Sequence, residues 1–222
     1  MLYRAVAKRV DTFLTQQCAR QNASQPGEEM RYSRFVNVNA LRLALGANIR
    51  GRWGEPRESL LRACRELEAA GIRIVRRSDW YITKAVGGGR QPCYVNAVVT
   101  ACAGIAPGSL LRLVKRIERR AGRRAAPRMS ARPLDIDILD YGGRRLGRRA
   151  IRRRHGQLVL PHPELQNRAF VLRPLSDLAP AWQHPILRRS ARALLAMLPP
   201  LLRSGVRQAL DPTVNPCEKE SS

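Results

Sequence analysis

Asp135 and Asp137 stand at alternate positions in the run Leu134-Asp135-Ile136-Asp137-Ile138-Leu139. In an extended strand alternate side chains share a face. The two carboxylates therefore point to one side, and Leu134, Ile136 and Ile138 to the other. Their Cα atoms lie roughly 7 Å apart. Two anions so placed repel unless something positive lies between them, and a hard divalent cation with oxygen ligands meets that need. Arg132, three residues upstream, carries a planar fork suited to phosphate oxygens. Metal plus phosphate is the chemistry these residues suggest. The bland alternative is a wet, acidic strand face. It loses ground because the chain is short of acid, with 17 acidic against 41 basic residues.

Such a pair needs a core to hold it. The chain has 222 residues, 44% of them hydrophobic, enough for one ordinary domain with an appendage. The formal net charge is +24, and every basic residue is Arg except Lys8, Lys84, Lys115 and Lys219. This surface attracts polyanions, although a general bias of the genome towards arginine would produce the same excess. Five cysteines, with no C-x-x-C spacing, indicate neither a disulfide framework nor a zinc site. A reducing, cytoplasmic setting fits. No apolar run approaches the roughly 18 residues of a membrane span, and no secretory leader is expected.

The elements follow from periodicity. Residues 1–36 read as a basic N-terminal extension whose first 21 residues suit an amphipathic helix, with Leu2, Val6, Val10 and Phe13 on one face. The domain proper is expected over residues 37–210, followed by a tail over 211–222. Leu41, Leu43 and Leu45 alternate as a strand. Pro56 opens a helix that Gly71 ends. Ile72 to Thr83 reads as one strand and Tyr94 to Cys102 as another. Pro107 opens a second helix, with Leu110, Leu111, Val114 and Ile117 inward and Gly122 as terminator. The Asp strand comes next, then an Arg-rich loop from Gly143 to Gln157 and a Pro161-His162-Pro163 turn. Ala193 to Leu210 reads as helical around Pro199-Pro200. Strand, helix, strand, repeated, suits an α+β sandwich with a mainly antiparallel sheet.

Four pieces stand in order: Leu45-Gly46-Ala47-Asn48, Gln91-Pro92-Cys93-Tyr94-Val95-Asn96-Ala97, Arg132-Pro133-Leu134-Asp135-Ile136-Asp137, and Pro161-His162-Pro163 with Asn167-Arg168-Ala169-Phe170. This ordered set resembles the 6-hydroxymethyl-7,8-dihydropterin pyrophosphokinase family of folate biosynthesis, from about Leu41 to about Pro180. The resemblance implies a ferredoxin-like fold, ATP as cosubstrate, two Mg2+ ions, and transfer of the terminal two phosphates of ATP to the pterin with release of AMP. It implies that Asp135 and Asp137 hold the metals and that Arg123, Arg132 and Arg168 neutralise phosphates. His162 would donate to a phosphate oxygen, and Glu118 matches a position near the nucleotide. Tyr94 and Phe170 would stack on the pterin, with Thr83 beside it. Asn96, which both donates and accepts, would read the pterin's amide-like edge. Small-molecule substrates, no nucleic acid and a monomeric state are the corresponding partner expectations.

The chain departs from the family in its loops. Gly46-Ala47-Asn48 stands for Gly-Ser-Asn, Thr83-Lys84-Ala85-Val86-Gly87 lacks the usual proline, and Arg128-Met129-Ser130-Ala131-Arg132 lacks the usual aromatic. Two alternative readings therefore stay open. One is a catalytically weakened relative that serves as a binding protein. The other is a basic nucleic-acid-binding protein on the same fold, gripping phosphates through Arg144 to Arg154.

Overall fold

The computed structural model describes residues 39–85, 91–127, 130–147 and 157–209. The expected N-terminal extension and C-terminal tail, Gly87 to Gly89, Met129 and Arg148 to Arg154 lie outside the described residues.

Alternation makes the sheet. In β1 (Asn39–Ala47) Leu41, Leu43 and Leu45 are buried on one face, while Arg42, Ala44 and Gly46 face the other. β1 pairs antiparallel with β4 (Tyr94–Ala103) on one side and β5 (Asp135–Tyr141) on the other. Two short strands, β2 (Arg73–Arg77) and β3 (Tyr81–Thr83), follow one another along the far side of β4. The single strand expected over Ile72 to Thr83 is thus broken at Ser78–Trp80. There the Ser78 main chain donates to Val98 C=O at 2.9 Å, and Ser78 Oγ accepts from Val98 N–H at 3.0 Å, replacing a carbonyl in the ladder. β6 (Val206–Gln208) completes the six-stranded sheet by pairing with β3.

Helices cover both faces. α1 (Pro56–Ala69) and α2 (Pro107–Arg120) each begin at a proline, whose missing N–H has no helical partner to lose. Gly71 and Gly122 follow them at φ +81° and +104°, where a side chain would be strained. Leu60, Ala63 and Leu67 of α1 and Leu110, Val114 and Ile117 of α2 pack on the leucine face of β1 and on Ile136 and Ile138 of β5. The opposite face carries a second core, built from α3 (Ala169–Leu178), α4 (Ala191–Ala196), Val98 and Leu139. The apolar stretch read as helical from Ala193 to Leu210 instead holds the end of α4, a short α5 (Pro200–Ser204) and β6.

One irregularity matters for the site. The β1–β5 register shifts between Arg42 and Leu43, so Leu43 faces Ile138 and Arg42 faces Asp140. Leu139 and Asp140 consequently both reach the second face, as a bulge allows. Asp140 there accepts from Arg42 at 2.7 Å, Trp182 Nε1 at 3.0 Å and Gly143 N–H at 3.1 Å. Cys64 is a free thiol, with its pKa pushed up to about 11 by burial. Cys93 and Cys102 stand at opposite ends of β4, too far apart to bond each other, and each is in a disulfide, which the cysteine spacing does not indicate. Among the described residues no helix is long and apolar enough to cross a membrane.

Candidate active site

Three neighbouring strands lay the site out. Gly46 of β1 stands opposite Asn96 of β4 and opposite Asp135 of β5. Strands lie about 4.8 Å apart, so roughly 10 Å of backbone separates Asn96 from Asp135, with only a glycine between. A Cβ on residue 46 would come within 3.2 Å of Asn96 Oδ1 and 3.8 Å of the Tyr94 ring. Glycine keeps this strip clear.

The acidic side is dense with cations. Asp135 and Asp137 share a face, as alternation predicts, with side chains 23% and 24% exposed. Arg123 Nη1 meets Asp135 Oδ1 at 2.5 Å, and Arg132 Nη1 meets Asp135 Oδ2 at 2.6 Å. Arg168 Nη1 holds Asp137 Oδ2 at 2.5 Å, and His162 Nε2 lies 3.8 Å from the same oxygen. Burial by itself would raise the Asp135 pKa, but the Arg123 and Arg132 guanidiniums outweigh it and hold the carboxyl below its ordinary value. Burial likewise disfavours the charged Arg123, yet Asp135 and Glu118 keep its pKa above the usual arginine value.

Each cation is placed by a local device. Arg123 follows the Gly122 turn that ends α2. Arg132 has its main chain fixed by Asn48, whose Oδ1 accepts the Arg132 N–H at 2.7 Å. His162 sits in the proline turn and donates its main-chain N–H to Leu139 C=O at 2.9 Å, anchoring the turn beside β5. Its Nδ1 accepts the Glu164 N–H at 3.2 Å. That bond assigns the ring proton to Nε2, on the side of Asp137. Arg168 immediately precedes α3, and its guanidinium lies 5.7 Å from the centroid of the Phe170 ring.

Glu118 behaves differently from a surface contact. It is 1% exposed and turned inward. Its Oε1 accepts the Ile136 N–H at 2.9 Å, between the two aspartates, and also meets Arg123 at 2.8 Å. Lys115 donates to both carboxylate oxygens at 2.9 Å. Burial raises the Glu118 pKa, against the pull of Lys115 and Arg123. Glu118 thus braces β5 and Arg123 from behind.

On the far side of Gly46, Asn96 is buried and donates from Nδ2 to Thr83 Oγ1 at 3.0 Å. Tyr94 and Phe170 are half-buried, one on β4 and the other on α3. The Tyr94 hydroxyl reaches Ser130 C=O at 3.5 Å, and burial raises its pKa. A cleft of about 330 Å³ opens beside Arg123 and Arg132, lined by Ile49, Gly122 to Pro127 and Ala131 to Pro133.

The structure therefore brings two contact clusters onto one strand face, Arg123 and Arg132 on Asp135 with Glu118 behind, and Arg168 and His162 on Asp137. It also brings Thr83 to Asn96. The bracing by Glu118 and the clasp of Asn48 on Arg132 were not legible in the sequence. A glutamate three residues after a lysine on a helix is an ordinary surface pattern and does not mark the first, and nothing local marks the second.

A family model described as 7,8-dihydro-6-hydroxymethylpterin-pyrophosphokinase matches residues 42–180. The chain is 36% identical over 157 residues to a 2-amino-4-hydroxy-6-hydroxymethyldihydropteridine pyrophosphokinase of Synechocystis, covering 70% of this chain and 73% of that one. It is also 36% identical over 160 residues to a Pseudomonas aeruginosa protein of the same name, covering 72% of this chain and 92% of that one. Among solved structures it resembles the wild-type HPPK-DHPS of Plasmodium falciparum with pteroate, at a TM-score of 0.54 and 16% identity. That match covers 72% of this chain and 42% of the other, so the chain spans under half the length of that protein. The fold, the ordered acidic and basic positions and these matches lead to one assignment: the chain belongs to the 7,8-dihydro-6-hydroxymethylpterin-pyrophosphokinase family.

Proposed function

We propose that the chain transfers pyrophosphate from ATP to 6-hydroxymethyl-7,8-dihydropterin, releasing AMP, and that the face shared by Asp135 and Asp137 is where it does so. The observation that carries this is the exchange-ready arrangement: three arginines and a histidine gathered on two carboxylates, across one strand from a buried amide with the Tyr94 ring beside it.

The donor set fits Mg2+. Asp135 and Asp137 offer hard oxygens on one exposed edge, and among the described residues no third His, Cys, Asp or Glu completes a closed cage. That pattern suits an ion that keeps its waters and takes substrate oxygens. Bound there, two Mg2+ ions would neutralise charge on the ATP phosphates. The remaining work falls to the chain's own groups. Arg123, Arg132 and Arg168 turn from carboxylates to phosphate oxygens, and His162 Nε2–H donates to another. The nucleotide occupies the cleft beside Gly122 and Pro127. Tyr94 and Phe170 take the pterin between them, and Asn96 with Thr83 reads its edge. The pterin hydroxyl oxygen then bonds to the β-phosphorus of ATP and gives up its proton to solvent, the bond from that phosphorus to the α-bridging oxygen breaks, and AMP leaves with that oxygen. Charge spreads over the phosphate oxygens in this step, so positioning and electrostatics dominate.

The test is direct. The full-length protein is incubated with ATP, Mg2+ and the reduced pterin, and AMP and the pterin diphosphate are followed together. Equal accumulation of both supports the reading. AMP without the pterin product, or neither, overturns it.

A further inference from the structure

We infer that Asn48 is a positioning residue that couples the two substrate sides of this site. The inference rests on the pyrophosphokinase reading, because it takes the segment before β4 as the pterin side and the segment before β5 as the phosphate side.

Asn48 follows the last residue of β1 and is 2% exposed. It holds the Arg132 main chain at two points. The Asn48 N–H donates to Arg132 C=O at 3.0 Å, and Asn48 Oδ1 accepts the Arg132 N–H at 2.7 Å. Its Nδ2 reaches the other way, donating to Gln91 Oε1 and to Pro92 C=O, both at 3.3 Å. A flipped amide would set Nδ2 against the Arg132 N–H, so the orientation is fixed by chemistry. Gln91 and Pro92 run directly into Tyr94 and Asn96. Arg132 runs directly into Asp135. One buried side chain therefore spans the two segments that carry the aromatic and the anionic ends of the site.

Only asparagine or glutamine joins an acceptor to a two-hydrogen donor in one planar group, and asparagine is the shorter of the two. Neither segment can shift against the other without breaking one of these bonds. When a ligand fixes one segment, the clasp carries that constraint to the second, and the second ligand meets a more ordered site. This is a coupling between two binding events, and it acts equally in both directions.

The experiment measures that coupling in the full-length protein. Calorimetry gives Kd for 6-hydroxymethylpterin with and without saturating α,β-methylene ATP and Mg2+. The ratio of the two values is the coupling factor. Wild type is expected to show a factor of at least tenfold. Asn48→Ala is expected to bring it to within about twofold of one, while the Kd for each ligand alone moves less than about fivefold. Gln91→Ala removes one of the two Nδ2 acceptors without touching the Arg132 clasp, and is expected to lower the factor part of the way. It also serves as the second variant where Asn48→Ala melts too low for calorimetry. An unchanged coupling factor in a folded variant overturns the inference, as does equal weakening of both ligands with the factor preserved, which marks a merely structural residue. A wild type that binds both ligands with no coupling overturns it too. Wild type that binds neither ligand overturns the pyrophosphokinase reading, and this inference with it.

Discussion

Replacing Glu118 by alanine separates bracing from catalysis. The carboxylate accepts the Ile136 N–H inside the sheet edge. Without it that buried donor loses its acceptor, at a cost of about 1–3 kcal/mol. Lys115 is 46% exposed, so its ion pair counts as a surface pair worth less than about 1 kcal/mol. Arg123 keeps Asp135 and is only partly stranded. The expected loss is therefore about 2–4 kcal/mol, which for a domain of this size lowers Tm by roughly 5–15 °C. Glu118→Gln keeps an acceptor for Ile136 and should retain most of that stability. The pH dependence has a definite sign. Burial raises the folded pKa of Glu118 above 4.5, so between the unfolded and folded values the folded state binds more protons. The contribution of Glu118 is full below the unfolded value and is lost as pH rises through the folded one. The glutamine variant lacks this term, so it gains on wild type as pH rises above 4.5. Thermal melts and urea titrations at several pH values read both effects. A change below 2 °C for Glu118→Ala, or a glutamine variant that falls further behind wild type as pH rises, would refute the reasoning.

Three further outcomes are expected. Asp135→Ala and Asp137→Ala each abolish pyrophosphoryl transfer with the fold retained; near-normal turnover with Mg2+ in either variant, set beside an unchanged circular dichroism spectrum, removes the metal assignment. Asn96→Ala weakens pterin binding by about 1–3 kcal/mol, roughly 5- to 150-fold, with ATP affinity nearly unchanged; equal loss for both ligands in calorimetry contradicts it. Asp140→Ala leaves Arg42 buried without its carboxylate and costs about 3–5 kcal/mol in denaturant titrations, whereas an Arg42→Met, Asp140→Leu double variant recovers much of that loss.

What the sequence discloses follows from how local each determinant is. β1 and β5 were legible because Leu41, Leu43, Leu45, Ile136 and Ile138 alternate against polar or small neighbours. The helix starts at Pro56 and Pro107 and the stops at Gly71 and Gly122 were legible because they depend on single φ values. α3 escaped notice because Ala169, Val171, Leu172, Leu175 and Leu178 are all buried around Pro174, which erases the amphipathic stripe and adds a helix breaker. β6 was misread because its strand form comes from the open edge of β3, a tertiary cause. The break at Ser78 has the same character, since its hydroxyl substitutes for a carbonyl only in the presence of Val98. In the site, Asp135, Asp137, Arg132, Asn96 and His162 were legible through the order of their motifs. The roles of Glu118 and Asn48 were not, because their partners lie 18 to 84 residues away.

The pairing of Asp135 with Arg123 and Arg132, and of Asp137 with Arg168, makes each set of charges the occupant of the other's seat. A divalent cation that arrives alone must displace guanidiniums and meets their repulsion. A polyphosphate that arrives alone can recruit the guanidiniums only by uncovering two anions beside itself. When both arrive together, every charge that gives up a partner receives another, and the count of opposite neighbours is preserved throughout. On the proposed reading the resting arrangement is a two-key lock: it would admit the metal–nucleotide complex in preference to either component, and would give free inorganic ions of either sign little reason to stay.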